Sequence, residues 1–388
     1  MVLSISTLIL QSCTKHCVGL EPIAHQEVVD LATEINLIEN NLMAESGAST
    51  RCNILHRMEE YNIPGVSIAV VEGGVLKWAK GYGLANTETG SEVNTNTLFQ
   101  AASISKPLTA LCALKLVDEG QVDLDGDVNS YLEGWSIPEN DFTTTEKVTL
   151  RRLLSHTAGT TVHGFGGYKQ TETFPSIEMV LNGEGNSPAI EVDEVPGSIW
   201  RYSGGGYTVM EKVVEDVSGL PLESHFTEVV STPLNMTNSL LSQPLPEQFH
   251  DNASAAYNPR GKIVKGFWHN YPEQAAAGLW TTPTDLAKYC IEIHEIFKGK
   301  SDGILSPETV ELMLTNHKDD FGLGLFLTET EDETIFHHAG NNVGFTNQMV
   351  AFANSGNAVV ILTNAEKGML LIDEILRGME DFYGWGLL

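Results

Sequence analysis

A serine and a lysine stand three positions apart at Ser103 and Lys106, ahead of an apolar stretch in which Leu108, Leu111 and Leu114 recur at three-residue steps. This spacing predicts a helix that places both polar side chains on one face. A serine hydroxyl is a weak nucleophile at neutral pH, and a buried lysine with a lowered pKa can take its proton. Backbone N–H groups at a helix N-terminus would stabilise an oxyanion formed there. The chemistry that these residue types allow is attack of Ser103 on a carbonyl carbon.

The Ser-x-x-Lys spacing does not decide the matter by itself. It occurs a second time, from Ser12 to Lys15. Serine is also a favoured helix-capping residue. On this tetrad alone, Ser103 or Ser105 as a cap beside a solvated Lys106 is the better interpretation, so the case for chemistry depends on the rest of the chain.

A tyrosine ahead of three consecutive glycines is the second stretch that could carry chemistry. Tyr202 precedes Gly204, Gly205 and Gly206, and an apolar helical pattern follows from Val209. The glycines let the backbone pass close to another group. A tyrosine at this point can relay a proton if a nearby cation lowers its pKa, and an ordinary packed tyrosine is the equal alternative.

Histidines occur in two further stretches. His156 lies in a short helical pattern over residues 150–159, and no acidic partner accompanies it. We therefore favour a structural histidine that caps a turn over a catalytic one. His337 and His338 are adjacent and would point to opposite sides of a strand, which disfavours a metal enzyme.

Metal and disulfide patterns are weak in this chain. Asp123, Asp125 and Asp127 alternate as in a calcium loop, but the twelfth position is Gly134 instead of glutamate, so no EF-hand is expected. The cysteines are too few and too scattered for a disulfide framework, and no Cys-x-x-Cys pair indicates zinc. We predict no metal and no cofactor. The five cysteines are Cys13, Cys17, Cys52, Cys112 and Cys290.

Charge and length exclude several classes of partner. The 388 residues carry a formal net charge of −29, from 51 acidic and 22 basic side chains. This balance argues against nucleic acid and against anionic membrane surfaces as partners. The acidic residues are spread along the chain, which is typical of a solubility adaptation. No run of 18 apolar residues is present, so we expect no membrane-spanning helix.

The first 24 residues are predicted to be a processing segment. An apolar run over residues 2–10 leads into Leu10-Gln11-Ser12-Cys13, which resembles the lipobox of bacterial lipoproteins, where the cysteine is lipidated. No lysine or arginine precedes the run, although an export signal normally starts with one. We expect an exported protein, periplasmic or anchored by a lipid at Cys13, and keep a cytoplasmic location as the alternative.

Strand and helix patterns indicate a mixed α/β (α+β) chain. A hairpin is predicted at residues 66–71 and 75–79, with loops at 81–83 and 86–90. Residues 160–190, rich in Gly, Thr and Ser, are expected to form a loop over the site. Thr282 and Pro283 are typical of a helix start. Other predicted elements are a helix at 54–61, strands at 322–327, 346–352 and 358–363, and a closing helix at 370–382.

Taken together, these stretches resemble the serine β-lactamase and penicillin-binding superfamily. The closest branch holds class C β-lactamases, D,D- and D-amino-acid peptidases and family VIII esterases. The similarity covers roughly residues 54 to 364, with the motifs in the family's order and at family-like spacing. The motifs are Ser103-Ile104-Ser105-Lys106 for Ser-x-x-Lys, Tyr202-Ser203-Gly204 for Tyr-x-Asn, and His338-Ala339-Gly340 for Lys-Thr-Gly or His-x-Gly.

The resemblance implies a fold in which an antiparallel sheet is flanked by helices and joined to a mostly helical subdomain, with the site between them. Residues 25–388 would form a single domain. The sheet subdomain would take in about 54–102 and 280–388, and the helical subdomain about 103–279.

The resemblance also implies roles for individual residues. Ser103 would form an acyl-enzyme, while Lys106 and Tyr202 would move the proton from Ser103 to the leaving group. The backbone N–H groups of Ser103 and Asn341 would form the oxyanion hole. The remaining residues expected on the substrate side are His338, Gly340 and Gly204.

Two departures from the family pattern bear on the substrate. Gly204 stands in place of an asparagine that would donate to substrate amides, and His338 stands in place of a lysine that would bind a β-lactam carboxylate. We therefore expect an esterase, peptidase or amidase that acts on a small ester, amide or D-amino-acid peptide. The alternatives are a β-lactamase or D,D-carboxypeptidase, and a non-catalytic receptor for peptidoglycan fragments.

Overall fold

The structure is a computed structural model that describes residues 17–19, 30–44 and 50–387. Most of the predicted processing segment, including Cys13, lies outside the described residues, and residues 17–19 form a short strand. Across the described ranges, no helix is long and apolar enough to cross a membrane.

The helices fall mainly in the middle and at the end of the chain. Short 3₁₀ turns at Ala102–Ile104, Val128–Ser130 and Glu247–Asn252 and a π-helical turn at Thr227–Ser231 join some of them. In the described ranges the α-helices are α1 (Leu31–Glu39), α2 (Ile54–Tyr61), α3 (Ser105–Asp118), α4 (Leu150–Leu154), α5 (Ile177–Leu181), α6 (Gly204–Ser218), α7 (Leu222–Phe226), α8 (Gln274–Ala277), α9 (Pro283–Phe297), α10 (Pro307–Met313) and α11 (Gly368–Tyr383).

The strands cluster near the two ends of the described chain, with short ones between. They are β1 (Cys17–Gly19), β2 (Thr50–Cys52), β3 (Gly65–Glu72), β4 (Val75–Asn86), β5 (Ser91–Glu92), β6 (Phe99–Gln100), β7 (Tyr168–Lys169), β8 (His269–Asn270), β9 (Trp280–Thr281), β10 (Phe326–Glu329), β11 (Thr334–Asn342), β12 (Phe345–Phe352) and β13 (Ala358–Thr363).

One seven-stranded antiparallel sheet organises the molecule, in the order β10-β11-β12-β13-β3-β4-β5. The early hairpin joins the late strands through β3 and β13, where Val71 lies opposite Ala358 and Val66 lies opposite Thr363. This arrangement confirms the predicted sheet, which combines the hairpin with the strands near the end of the chain. The bounds predicted for the strand at 322–327 are wrong, since β10 runs over Phe326–Glu329.

Both faces of the central strands are buried. In β3, Ala69 and Val71 pack into one apolar cluster, whereas Val66, Ile68 and Val70 pack into another on the opposite face. This alternation follows from the two-residue period of a strand. Helix α9 covers the first face, while α2 and α11 cover the second. The predicted closing helix is therefore confirmed.

The predicted loop at residues 81–83 is wrong, because β4 continues to Asn86. Gly81 pairs with Ser67, and Gly83 pairs with Gly65. A Cβ on Gly81 would lie 2.5 Å from the Val93 carbonyl oxygen, and one on Gly83 would lie 2.1 Å from that of Pro64. These glycines mark close approaches of neighbouring backbone instead of a turn.

Helix α3 is buried on nearly every side, as expected of a helix that is apolar all round. Cys112 lies within it as a fully buried free thiol, and Cys290 is a second one in α9. Cys52 is disulfide-bonded, which the cysteine pattern did not predict. Because buried residues surround α3 on nearly every side, packing fixes the place of its first turn.

Candidate active site

Ser103 lies in the 3₁₀ turn between β6 and α3. Ala102, just before it, has φ 53°, a left-handed conformation that is strained for a residue with a side chain. Helix α3 has no side-chain N-cap, since Ser105 Oγ donates to the Ala102 carbonyl at 2.6 Å and accepts the Leu279 N–H at 3.0 Å. The capping interpretation is wrong for both serines, and the Ser103 hydroxyl is not engaged by the helix.

Lys106 is buried beside that hydroxyl. Its side chain is 2% exposed, and its Nζ lies 3.1 Å from Ser103 Oγ and 2.8 Å from the Ala276 carbonyl oxygen. The alternative of a solvated lysine is therefore wrong. Burial lowers the pKa of Lys106 to about 7, because the charged amine has left water without gaining a carboxylate partner. A large fraction of the amine is neutral near pH 7 and can accept a proton.

Tyr202 lines the same cavity as Ser103, close enough for the serine hydroxyl to influence the pKa of the phenol. Lys106 Nζ lies 4.9 Å from the centre of the Tyr202 ring. Burial raises the pKa of Tyr202, and the Ser103 hydroxyl opposes this only in part. A pKa lowered by a nearby cation, the condition stated for a proton relay at this tyrosine, is therefore not found. The amine lies near the face of the ring and makes a cation–π contact.

Strand β11 forms one wall of the site. Strand β10 pairs with it only as far as His337, so the edge from His338 to Asn342 has no strand partner on that side among the described residues. Gly340 passes so close to the nucleophile turn that a Cβ would lie 2.1 Å from the Ala101 carbonyl oxygen. Asn341 lines the cavity at this edge.

His338 is an uncharged part of this wall. It is 1% exposed, and its Nδ1–H donates to the Ala339 carbonyl at 2.6 Å, which leaves Nε2 without a partner. Burial and the nearby Lys106 amine lower the pKa of His338 to about 3. The imidazole is therefore neutral at pH 7 and supplies no fixed cation in place of the family's lysine.

Gly204 begins α6 beneath the loop that follows α4. Its N–H donates to the His163 carbonyl at 3.0 Å, and a Cβ at this position would lie 3.1 Å from both that oxygen and Phe165 Cε2. The glycines belong to the first turn of α6 instead of preceding it. His163 and Phe165 line the cavity, so part of the predicted 160–190 loop does border the site.

Helix α8 links several of these groups. The carbonyls of Ala276 and Ala277 accept hydrogen bonds from Lys106 Nζ and from Asn342 Nδ2, at 2.8 and 3.1 Å. The buried Glu211 carboxyl accepts a backbone N–H at the other end of this helix. No sequence pattern predicts this role, because Ala276 and Ala277 carry only methyl side chains and act through their backbone carbonyls.

These residues surround one cavity of about 700 Å³. Lys106 is the only Lys, Arg, Asp or Glu in its lining among the described residues. The aromatic part of the lining was not predicted, although Trp200 is two residues from Tyr202 in the chain. No cluster in the described ranges could hold a metal ion. The lining consists of Ser103, Lys106, His163, Gly164, Phe165, Trp200, Tyr202, Gly204, Ala276, Ala277, Phe326, His338, Ala339, Asn341 and Asn342.

Comparison with known proteins gives a consistent set of similarities. The family model described as Beta-lactamase matches residues 51–376. Teichoic acid D-alanine hydrolase of Staphylococcus aureus is 26% identical over 307 residues, which cover 78% of this chain and 70% of that protein. The octameric penicillin-binding protein homologue from Pyrococcus abyssi superposes with a TM-score of 0.67 at 26% identity, over 81% of this chain and 72% of that one. SurE superposes with a TM-score of 0.67 at 24% identity, over 84% and 74%.

Proposed function

The chain belongs to the Beta-lactamase family and is a serine hydrolase, and from this we propose that it cleaves small, non-anionic esters and amides through an acyl-enzyme on Ser103. One observation carries the proposal. Ser103 Oγ and the buried Lys106 Nζ lie 3.1 Å apart in a cavity with no second cation in its described lining.

Acylation begins with transfer of the Ser103 proton to the neutral amine of Lys106. The pKa of about 7 matches this task, because a general base works best with a pKa near the working pH. The alkoxide oxygen attacks the scissile carbonyl as the proton leaves. Tyr202 stays a protonated phenol, since burial raises its pKa. As the scissile bond breaks, Tyr202 gives its proton to the leaving group and receives the proton that Lys106 took from Ser103, so the amine is neutral again for deacylation.

The developing oxyanion is assigned to the backbone N–H groups of Ser103 and Asn341. Ser103 lies in the 3₁₀ turn that leads into α3, and the N–H groups at the start of a helix have no partner within the helix. Asn341 lies on the part of β11 that β10 leaves uncovered. Each such donor is worth about 3–4 kcal/mol of transition-state stabilisation. Water then attacks the acyl-enzyme with Lys106 again as the base, and Ser103 recovers its proton.

Among the described residues, no charged side chain other than Lys106 lines the cavity, and this favours substrates that do not depend on a carboxylate contact. His338 is neutral and presents an unpaired Nε2 instead of an ammonium, and Gly204 presents no side-chain donor. Substrates that depend on a carboxylate contact, such as β-lactams and cell-wall peptides, gain little here. The net charge of −29 further disfavours anionic substrates at long range.

D-Aminoacyl esters are the second candidate substrates. The relative from Staphylococcus aureus is named for D-alanine removal from teichoic acid. The cavity presents the aromatic rings of Trp200, Phe165 and Phe326, which can attract an ammonium group through cation–π contacts. Such a substrate is cationic or neutral, so the acidic surface does not oppose its approach.

A substrate panel tests the proposal. We expect wild-type protein to hydrolyse p-nitrophenyl butyrate, and D-alanine esters if the second candidate holds, much faster than nitrocefin. Ser103→Ala should lower the rate by about 1,000-fold or more. His338→Lys restores a cation and should shift the preference toward nitrocefin, whereas the neutral His338→Gln control should not.

Two outcomes would contradict the proposal. Faster hydrolysis of nitrocefin than of p-nitrophenyl butyrate would favour a β-lactamase. Failure of a fluorophosphonate probe to label wild-type protein, with Ser103→Ala as the matched control, would favour a non-catalytic receptor.

Export and lipid anchoring at Cys13 form a separate part of the proposal. They are supported only by the apolar run over residues 2–10 and by the lipobox-like Leu10-Gln11-Ser12-Cys13. Expression of the full chain in a bacterium with labelled palmitate should give a labelled, processed protein. Cys13→Ala should remove the label, and equal labelling of both proteins would count against the anchor.

A further inference from the structure

Two hydrogen bonds to His156 bracket Tyr202 in the chain. The N–H of Arg201 donates to the His156 carbonyl at 2.8 Å, and the N–H of Ser203 donates to His156 Nδ1 at 3.1 Å. One residue from a different segment therefore holds the backbone immediately before and immediately after the tyrosine. Both bonds fix the direction from which the Tyr202 side chain leaves the chain.

The imidazole also supports the ring of Tyr202. The two ring centres lie 4.3 Å apart with a tilt of 40°, and Phe321 lies 4.8 Å from the imidazole centre. His156 is 2% exposed, so protein surrounds this stack. The phenol is held through its ring as well as through its backbone.

The contact with Ser203 requires a neutral imidazole. Nδ1 accepts a backbone N–H, so the ring proton is on Nε2, which has no partner in the described structure. Burial and the nearby Lys106 amine lower the pKa of His156 well below its usual range. The acceptor lone pair on Nδ1 is therefore available throughout the working pH range.

The backbone at His156 is held in an unusual conformation. Its φ is 57°, in the left-handed region that residues with a side chain rarely adopt. Such strain persists only where the surroundings determine the conformation. Here this conformation presents both the carbonyl and Nδ1 of one residue to the segment that carries Tyr202.

We propose that His156 is the positioning residue for Tyr202, holding the phenol hydroxyl at Ser103 while the acyl-enzyme forms and breaks down. His156 touches none of the reacting atoms in this role and acts only through the tyrosine. The inference rests on the proposed function in one respect, namely that Tyr202 takes part in proton transfer.

A double-mutant cycle tests this dependence. His156→Phe keeps an aromatic ring but removes the Nδ1 acceptor, and it should lower kcat for p-nitrophenyl butyrate by about 100-fold. KM should change by less than about 3-fold, since ground-state binding is left in place. In a Tyr202→Phe background, His156→Phe should lower kcat by less than about 2-fold, because no hydroxyl remains to be positioned.

A rescue variant and a matched control separate positioning from general stability. Asparagine tolerates a left-handed backbone, and its side-chain oxygen can accept the Ser203 N–H, so His156→Asn should regain activity to within about 10-fold of wild type. His225 is another buried histidine, whose Nε2 lies 3.3 Å from the Cys112 carbonyl oxygen. His225→Phe should lower the Tm measured by thermal unfolding, because a buried hydrogen bond is lost, yet kcat of the folded protein should not change.

The double-mutant cycle is measured by the rate of fluorophosphonate labelling as well as by ester turnover. Labelling does not depend on the natural substrate, so the cycle still gives a result if the proposed substrate class is wrong. The inference would be overturned if His156→Phe lowered kcat and the labelling rate by the same factor in the wild-type and Tyr202→Phe backgrounds. It would also be overturned by a loss of kcat in His225→Phe as large as that in His156→Phe, or by an activity of His156→Asn no higher than that of His156→Phe.

Discussion

Lys106 is the residue on which activation of the Ser103 hydroxyl depends. It is buried without a carboxylate partner, and its hydrogen bonds go to Ser103 Oγ and the Ala276 carbonyl. The cost of charging an amine in this environment makes it a base near neutral pH. Exposed lysines, with a pKa near 10.5, could not serve, because almost all of their amines are protonated at pH 7.

The pH dependence of the reaction should report this amine. Because the neutral form of Lys106 accepts the Ser103 proton, we expect kcat/KM for a neutral ester to rise as the pH increases through about 7 and then to level off. His338 titrates near pH 3 and should not contribute to this limb. The measurement is the pH–rate profile of p-nitrophenyl butyrate hydrolysis from pH 5 to about 9. A flat profile, or a fall across this range, would contradict the assignment of Lys106 as the base.

The chemistry of the site could be predicted at this scale only in part. Ser103 and Lys106 are three residues apart, so helix geometry alone placed them together. The contacts of His156 with Tyr202, and of Phe326 with the cavity, join residues far apart in sequence, and no local pattern encodes them. The direction of the Tyr202 pKa shift was missed for the same reason, since it depends on burial and on where the Lys106 amine lies relative to the ring.

At the scale of elements, the approach of β11 to the nucleophile turn determines the shape of the site. The strand passes the turn at Gly340, where no side chain can be accommodated beside the Ala101 carbonyl. Packing therefore explains the glycine at position 340 of the His338-Ala339-Gly340 motif, independently of any role in catalysis.

Gly340→Ala should test this contact. The added methyl group would meet the Ala101 carbonyl oxygen at 2.1 Å, so the strand or the turn must move. We expect a loss of about 1–3 kcal/mol in the free energy of unfolding, together with slower fluorophosphonate labelling of Ser103. Gly166→Ala is the matched control, since a Cβ there meets nothing within 4 Å. Unchanged stability and labelling in Gly340→Ala would show that the close approach is not a constraint.

Elements with strong local signals were predicted closely. Helix α2 runs over Ile54–Tyr61 as expected, and Thr282 caps α9 with Pro283 in its first turn. Strand β11 was not among the strands predicted from apolar alternation, because its histidines, glycine and asparagines lack that pattern. Its place is set by pairing with β12 and by its contact with the nucleophile turn, which are tertiary effects.

At the scale of the whole molecule, the chain has a net charge of −29, yet the described lining of the active site contains no carboxylate. Charges spread over a surface act at distances up to about one Debye length and are screened by salt. They therefore influence which substrates approach, without contributing to bond cleavage. The division of the chain into a sheet subdomain and a helical subdomain stays a prediction.

Salt should distinguish an anionic substrate from a neutral one. We expect kcat/KM for an anionic ester such as p-nitrophenyl hemisuccinate to rise between about 20 and 500 mM NaCl, because screening weakens the repulsion from the protein. The value for neutral p-nitrophenyl butyrate should stay nearly constant and serves as the control. A fall in kcat/KM for the anionic ester would show that a local cation outweighs the net charge.

The pairing of β3 with β13 has a consequence for how the protein forms. Ribosomal synthesis releases the nucleophile turn and α3 well before β11, β12 and β13, so the cleft lacks a wall during most of translation. The early hairpin, meanwhile, has an open edge that only the late strands can cover. Strand pairs between segments so far apart in sequence favour slow folding. Hydrolytic competence should therefore arise abruptly, once the final strands have joined.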